Sequence, residues 1–388
     1  MQTTTLTNLR IWDGHQTLDA DTITIRDGLI SDISHSDSLP SRVQAQDCAG
    51  LTAMPGLIDA HVHLELNPDD HKAPEKTHPE VIPLMAERAA AMASKGITTA
   101  RDLGGGAWYE LALRDQIAAG EQIGPRLLCS GQPITSPMGH CHFWGGEAES
   151  LEAARTVLLR QLEKGVDLIK VMATGGRLTK GSAPSDAQFS EQDLTEIVAM
   201  AHAHDRQVAA HCHGTEGIRR AACAGVNTIE HCSWVGEEGW ASDYQADVAD
   251  LIAEQGIWVS PTVNKGWQRM LDSKTGAVLT RVRHAYQEML GKGIPMVAST
   301  DAGIPGVYHD ELAPALVVFA QIAQLSNAAA LKSATSDAAV ALGISDVTGQ
   351  LKKGWAADIL IVDGDPTTDL TAVTRPVTTF VSGHPVVA

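Results

Sequence analysis

Between about residue 57 and residue 343, the sequence alternates short apolar runs with longer stretches of helical periodicity. Stretches such as 81–95, 148–164 and 190–204 space their apolar residues three and four apart, which is typical of amphipathic helices. The runs between them have the length of buried strands, at 57–60, 98–102, 126–131, 167–172, 207–210, 228–229, 257–260 and 296–299. Eight strands that alternate with helices favour a closed parallel sheet over an open one. The sequence therefore predicts an α/β fold, a (β/α)8 TIM barrel.

Both ends of the chain carry a different pattern, in which short alternating segments are separated by turn residues. Asp27-Gly28 lies between two such segments and is typical of a two-residue hairpin turn. The C-terminal segments meet similar turns at Asp363-Gly364 and Ser382-Gly383. Because chain ends often lie close together, we expect both ends to pair into one small composite β-sandwich. The predicted domains are 1–55 and 344–388 for the two parts of the sandwich and 56–343 for the barrel.

The formal net charge of −18 repels phosphate backbones and anionic membrane surfaces. We therefore expect a small-molecule substrate, with no nucleic-acid partner and no membrane partner. No run of 18 or more apolar residues and no signal-peptide pattern is present, and the six cysteines form no regular framework. These features predict a cytoplasmic protein with reduced thiols, and they leave open whether it forms a homo-oligomer.

Five of the eight predicted strands end in side chains that can bind a metal ion. These residues are His61 and His63 after the first strand, Lys170 in the fourth, His211 after the fifth, His231 after the sixth and Asp301 after the eighth. The C-terminal ends of barrel strands converge on one pocket, so these residues should become neighbours. His61 and His63 are two positions apart, point the same way along a strand and could chelate one ion. Four imidazoles and a carboxylate suit Zn²⁺ better than Ca²⁺ or Mg²⁺.

The segment from Met54 to His63, MPGLIDAHVH, resembles the opening signature of the amidohydrolase superfamily. The ordered set HxH, Lys, His, His, Asp resembles its binuclear-metal subtype. The segment IKVMATGG at 169–176 is similar to the imidazolonepropionase-like, Xaa-Pro dipeptidase (prolidase-like) branch. The resemblance covers essentially the whole chain. It implies that the site holds two divalent ions, for which we expect zinc.

The same resemblance implies roles for the individual residues. Lys170 would be carboxylated by CO₂ and, with a hydroxide, would span both ions. His61, His63 and Asp301 would bind the first ion, and His211 and His231 the second. Asp301 would take a proton as the carbonyl is attacked and return it to the leaving amine, which is general base and then general acid catalysis. Asp301 and Lys170 are therefore the expected catalytic residues.

Loops after the strands should supply the substrate contacts. His140, in the segment GHCH, is a candidate because similar family members often have a Gly-His contact there. Arg177 and Lys180 follow the fourth strand and could hold a substrate carboxylate. Trp234 is a further candidate for a substrate contact, because it follows the sixth strand, where a tyrosine is typical of dipeptidases of this branch. His213 is expected beside a metal ligand and not as a ligand itself.

The leading functional hypothesis is a binuclear metal-dependent amidohydrolase that cleaves an amide bond in a dipeptide, such as an Xaa-Pro dipeptide, or in an N-acyl amino acid. Hydrolysis of a lactone, ester or carbamate stays open, because the same attack works on each carbonyl. A mononuclear deaminase or ring amidohydrolase is a further alternative, although such a site would need no bridging lysine. The last alternative is a non-catalytic homologue that only binds its ligand, and the retention of every expected metal-binding residue argues against it.

Overall fold

The computed structural model describes residues 3–273 and 276–386. Its N-terminal segment forms the strands Thr3–Thr7 (β1), Arg10–Ile11 (β2), Thr22–Arg26 (β3), Leu29–Ser34 (β4), Gln46–Asp47 (β5) and Thr52–Pro55 (β6). The predicted hairpin turn joins β3 to β4, and Asp27 and Gly28 adopt φ values of 50° and 83°. Positive φ at both central positions matches the right-handed twist of the flanking strands, and glycine adopts it without steric cost.

Seven strands follow in the middle of the chain, and all seven coincide with predicted positions. They are Leu57–Val62 (β7), Ile97–Asp102 (β8), Arg126–Cys129 (β9), Ile169–Met172 (β10), Val208–Gly214 (β11), Thr228–Val235 (β12) and Trp258–Ser260 (β13). β7, β8 and β9 form one parallel sheet, and β10 to β13 form a second parallel sheet. Their carboxyl ends therefore lie along two common edges.

The eighth predicted strand, 296–299, differs from the expectation, because only Met296 forms a bridge, with Val259. This segment still forms hydrogen bonds with β13 and with β7. Val297 N–H donates to the Val259 carbonyl of β13, and Ala60 N–H of β7 donates to the Ala298 carbonyl. Ala298 N–H, however, donates to the carbonyl of Ser333, outside the sheets. Because the Ala298 amide bonds outside the sheets, no regular ladder of hydrogen bonds forms here, which explains why this segment is not a strand.

Helices separate the parallel strands and follow the last of them. Their bounds are Val81–Ser94 (α1), Tyr109–Ala118 (α2), Leu151–Lys164 (α3), Glu191–His202 (α4), Thr215–Ala224 (α5), Ala246–Glu254 (α6), Gln268–Asp272 (α7), Ala277–Gly291 (α8), Leu312–Ala323 (α9), Asn327–Ser333 (α10) and Ser336–Ala341 (α11). Ser190 caps α4, since its hydroxyl accepts a hydrogen bond from Asp193 N–H at 3.1 Å. Among the described residues, no helix has the length and apolarity that a membrane crossing requires.

Strands from both ends of the chain share one sheet. The last strands are Ile359–Val362 (β14), Pro376–Val381 (β15) and His384–Val386 (β16), and the sheet order is β16-β15-β14-β6-β2. A second sheet, β4-β3-β1-β5, comes from the N-terminal segment alone. Apolar residues of both sheets, such as Ile23, Ile25, Ile359 and Ile361, form one buried cluster. β6 leads into β7 through Gly56 alone, so this module anchors the strand that contains His61 and is followed by His63.

Candidate metal centre

Three potential ligand atoms converge at the carboxyl end of β7. His61 Nε2 lies 3.3 Å from His63 Nε2 and 3.3 Å from Asp301 Oδ1, and His63 Nε2 lies 3.5 Å from the same oxygen. Both histidines are buried, and Asp301 is partly buried. Two imidazole nitrogens and one carboxylate oxygen that face each other at this range form a donor set suited to a divalent ion.

The other ring nitrogens of these histidines bind partners that orient them. His61 Nδ1 lies 2.9 Å from Glu230 Oε2, and His63 Nδ1 lies 3.2 Å from the carbonyl oxygen of Gly104. Both partners are acceptors, so each Nδ1 carries the proton and each Nε2 keeps its lone pair for an ion. Asp59 positions the segment that leads to Asp301, because its carboxylate accepts hydrogen bonds from the backbone N–H and the hydroxyl of Thr300.

A second donor group lies at the ends of β11 and β12. It consists of His211, His213 and His231, whose ligand atoms lie within 4.8 Å of one another. His211 Nε2 bonds to the Gly175 carbonyl oxygen at 3.0 Å, His213 Nδ1 to Ser233 Oγ at 3.0 Å, and His231 Nδ1 to Thr262 Oγ1 at 2.8 Å. Each imidazole therefore keeps one ring nitrogen free. His213, expected only beside a ligand, stands among the candidate ligands themselves.

Lys170 lies on β10 and is 1% exposed, and its side chain lines the same cavity as both histidine groups. Burial lowers the pKa of the Lys170 amine, which increases the fraction of the uncharged form. An uncharged amine is the form that reacts with CO₂. Burial alone would raise the pKa of Asp301, but His61, His63 and Lys170 outweigh it, so this pKa is below its usual value.

The backbone is strained where these residues sit. Asp301, His231 and Thr262 adopt φ values of 61°, 66° and 52°, in the left-handed region. Non-glycine residues there cost about 1–3 kcal/mol each and persist only when their surroundings hold them. Asp301 N–H donates to the His61 carbonyl at 2.9 Å, and this bond helps to hold Asp301 beside the histidines.

The cavity above these groups has a volume of about 310 Å³, and His140 and Arg177 line it. The ring of His140 packs against His211 at a tilt of 37°, with a centroid distance of 4.5 Å, and its buried Nδ1 has no hydrogen-bond partner among the described residues. A Cβ on Gly176 would lie 2.4 Å from this ring, so His140 can take this position only because residue 176 is glycine. Burial lowers the pKa of His140 to about 3, which keeps the ring neutral.

Two predicted substrate contacts lie elsewhere. Trp234 is fully buried and packs against Tyr244, with 5.0 Å between their centroids, and it does not line the cavity. It adopts a φ of 49°, which breaks the strand alternation and turns the side chain into the core. Lys180 is exposed and also lies outside the cavity lining. Trp240, which sequence reasoning missed, reaches the cavity instead, and the Arg177 guanidinium lies 5.0 Å from its ring.

Known proteins resemble this chain over most of its length. An ochratoxinase from Aspergillus niger is 28% identical over 354 residues, which cover 83% of this chain and 72% of that protein. An imidazolonepropionase from Deinococcus radiodurans is 23% identical over 380 residues, which cover 88% and 84% of the two chains. The crystal structure of a Xaa-Pro dipeptidase with bound methionine has a TM-score of 0.86 at 25% identity and covers 100% of both chains.

Family assignment rests on nearly the full sequence. Residues 52–386 match the amidohydrolase family, and residues 5–52 match the NagA composite domain. The resemblance carried by the HxH segment and by the IKVMATGG segment is therefore confirmed, together with its dipeptidase-like structural neighbours. The α/β fold, the composite module and the paired histidine groups agree with this assignment. The chain belongs to the amidohydrolase family.

Proposed function

We propose that this protein is a binuclear metal-dependent hydrolase that cleaves the amide bond of a dipeptide or an N-acyl amino acid. The observation that carries the proposal is the presence of two separate donor groups on one cavity, with Lys170 lining it too. The similarity to a Xaa-Pro dipeptidase and to an ochratoxinase supports hydrolysis, and an Xaa-Pro dipeptide is one candidate substrate. A single ion would leave one donor group without a function.

We infer that the two parallel sheets belong to one eight-stranded barrel. Residues 295–302 support this inference, because they bond to β13 through Val259 and to β7 through Ala60 and His61. On the other side, Ile134 N–H donates to the Lys170 carbonyl next to β9. The boundaries at 55/56 and 343/344 are part of the same proposal. Such a closure would bring all the strand ends that carry ligands to one rim.

In the proposed reaction, His61, His63 and Asp301 would hold the first ion, and His211 and His231 would hold the second, with His213 as a further candidate. The ions, for which we propose zinc, supply an activated water and a polarised carbonyl when bound. Lys170, as its CO₂ adduct, would contribute an anion shared by both sites. The Asp301 carboxylate accepts the proton of the attacking water and returns it to the leaving nitrogen. His140, neutral and with a free Nδ1, is placed to bind the substrate.

We expect the metal-free protein to take up two zinc ions per chain when it is reloaded in bicarbonate buffer. Two donor groups and a carboxylated lysine provide enough ligands for both ions. Elemental analysis against protein concentration measures the ratio. Saturation near one ion per chain, with full activity, would contradict the binuclear site and favour the mononuclear alternative.

Arg177 is the proposed partner of a substrate carboxylate. It lines the cavity beside Trp240, and no ion pair to it is found among the described residues. A charge-assisted hydrogen bond contributes about 1.5–3 kcal/mol. Arg177→Ala should therefore lower kcat/KM by about ten- to a hundredfold for free dipeptides. Amidation of the substrate's C-terminus should cost as much, and the two changes together should cost no more than either one.

The assay compares Xaa-Pro and other dipeptides, N-acyl amino acids, lactones, esters and aryl carbamates, with the carboxylate free and blocked. The exposed Arg155 of α3 serves as a control, and Arg155→Ala should leave kcat/KM unchanged. The cavity also has an apolar wall that includes Trp144, Trp240 and Trp267, which favours lactones or carbamates as the second candidate. Fastest turnover of substrates without a carboxylate would establish that candidate and reject the dipeptidase.

A further inference from the structure

Arg101 on β8 is a fully buried cation that crosses from one parallel sheet to the other. Its Nε donates to the Ala60 carbonyl at 2.7 Å, and its Nη2 lies 2.7 Å from Glu230 Oε1. Its Nη1 donates to Thr228 Oγ1 at 3.0 Å. Arg101 and Glu230 are 1% and 0% exposed. Burial of two charges is costly, and a hydrophobic pair would often be at least as stable, so the pair calls for a reason beyond stability.

The second oxygen of Glu230 points to the metal centre. Glu230 Oε2 accepts the Nδ1 proton of His61 at 2.9 Å, so Arg101, Glu230 and His61 form one continuous chain of contacts. Arg101 thus reaches a candidate ligand through Glu230 without touching the donor group itself. The planar guanidinium contacts Glu230 from a fixed position, so it holds the carboxylate in one orientation.

Within the described residues, His61 is the one candidate ligand histidine whose orienting partner is a carboxylate. The partners of the others are neutral: the carbonyls of Gly104 and Gly175 and the hydroxyls of Ser233 and Thr262. A carboxylate that accepts the Nδ1 proton makes the opposite nitrogen a stronger donor than a neutral acceptor does. The site of His61, His63 and Asp301 also contains a carboxylate ligand, whereas the three-histidine group contains none.

We propose that Arg101 and Glu230 form a positioning pair that makes the site of His61, His63 and Asp301 the tighter of the two metal sites. Glu230 fixes the His61 tautomer, and Arg101 fixes Glu230. The tighter site fills first when metal is scarce. This inference rests on the proposed binuclear centre and adds the order in which the sites are loaded.

The test is a zinc titration of the metal-free protein against a competing chromophoric chelator. Wild type should show two distinct affinities. Arg101→Met and Glu230→Gln should each weaken the tighter one by about 10–100-fold, which is typical for loss of a ligand's orienting partner. The weaker affinity should stay within about threefold. The double variant should lose no more than a single one, because both residues act through the same contact to His61.

Arg126→Met is the matched control. Arg126 pairs with the buried Asp358 at 3.2 Å, at the start of β9 and away from the cavity. The substitution Arg126→Met should lower the free energy of unfolding without any change in zinc affinity. A merely structural role for Arg101 would give this same result in Arg101→Met and would overturn the proposal. If Arg101→Met fails to fold, the more conservative Glu230→Gln carries the test alone.

A second readout does not involve the metal. In metal-free protein with ¹⁵N-labelled histidine, the His61 signals, assigned by their loss in His61→Gln, should show the proton on Nδ1. In Arg101→Met they should move towards a mixture of tautomers. Unchanged signals together with unchanged zinc affinity would overturn the inference. Wild type that binds no zinc would contradict the proposed function instead, so the two failures are distinguishable.

Discussion

In an Asp301→Asn variant, we expect kcat to fall by about 10²–10⁴-fold with a smaller change in KM, because the amide cannot accept a proton. The side chain keeps its size, and its oxygen can still face His61 and His63, which lie 3.3 and 3.5 Å away. The residues that we propose for substrate binding are others in the cavity, namely His140 and Arg177. Steady-state kinetics on the best substrate of the panel, with zinc content measured on the same sample, tests this expectation.

The zinc content of the Asp301→Asn variant distinguishes a loss of proton transfer from a loss of metal. If the variant keeps two ions and loses kcat, the carboxylate moves the proton. Asp310→Asn is the matched control, since Asp310 lies in the same loop but does not line the cavity, and its kcat should stay within about twofold. A rise in KM with normal kcat would mean that Asp301 binds substrate, and the proposed proton transfer would be wrong.

For Lys170→Ala, we expect loss of one of the two ions and a fall in kcat/KM of about 10²–10³-fold. Without the proposed CO₂ adduct of Lys170, the two donor groups would share no anion, and a metal ion contributes several kcal/mol to such a reaction. The fold should persist, because the substitution removes a buried amine and no described hydrogen bond of its side chain is lost. Zinc analysis, kinetics and thermal unfolding measure the three effects.

A short carboxylic acid added to Lys170→Ala should partly restore the second ion and the activity, because it can replace the missing carboxylate. Lys95→Ala, at the exposed end of α1, is the control for removing a lysine, and it should behave as wild type. If Lys170→Ala retains two ions and normal turnover, Lys170 is a structural residue, and the amine has no role in metal binding.

The sequence placed seven parallel strands correctly, because each contains a short apolar run of strand length between longer segments of helical periodicity. It ended β11 and β12 too early, at 210 and 229, whereas the strands continue to Gly214 and Val235. The extra residues include His211 and His231, whose polarity makes a strand end look like a loop. The segment 296–299 failed for the opposite reason: its sequence is apolar, but the Ala298 amide donates to Ser333, outside the sheets.

His213 could have been named as a candidate ligand from the sequence. It stands two positions after His211, and the same spacing predicted that His61 and His63 face one ion. Trp234 and Trp240 could not be distinguished in this way. Positive φ values at Cys232 and Trp234 break the alternation, and Trp240 lies in a loop whose path depends on tertiary contacts.

The mixed sheet of both chain ends has a consequence for synthesis in the cell. β6 pairs with β14, which the ribosome produces after every parallel strand has been made. β7 follows β6 after a single residue, so the histidines of the first donor group gain their rigid anchor late. Contacts between residues so far apart in sequence form slowly. A chain whose translation stops before β14 would therefore expose the unpaired edge of β6. Such a chain would be bound by chaperones and cleaved by proteases. Premature termination should therefore lead to degradation and not to a protein with altered activity.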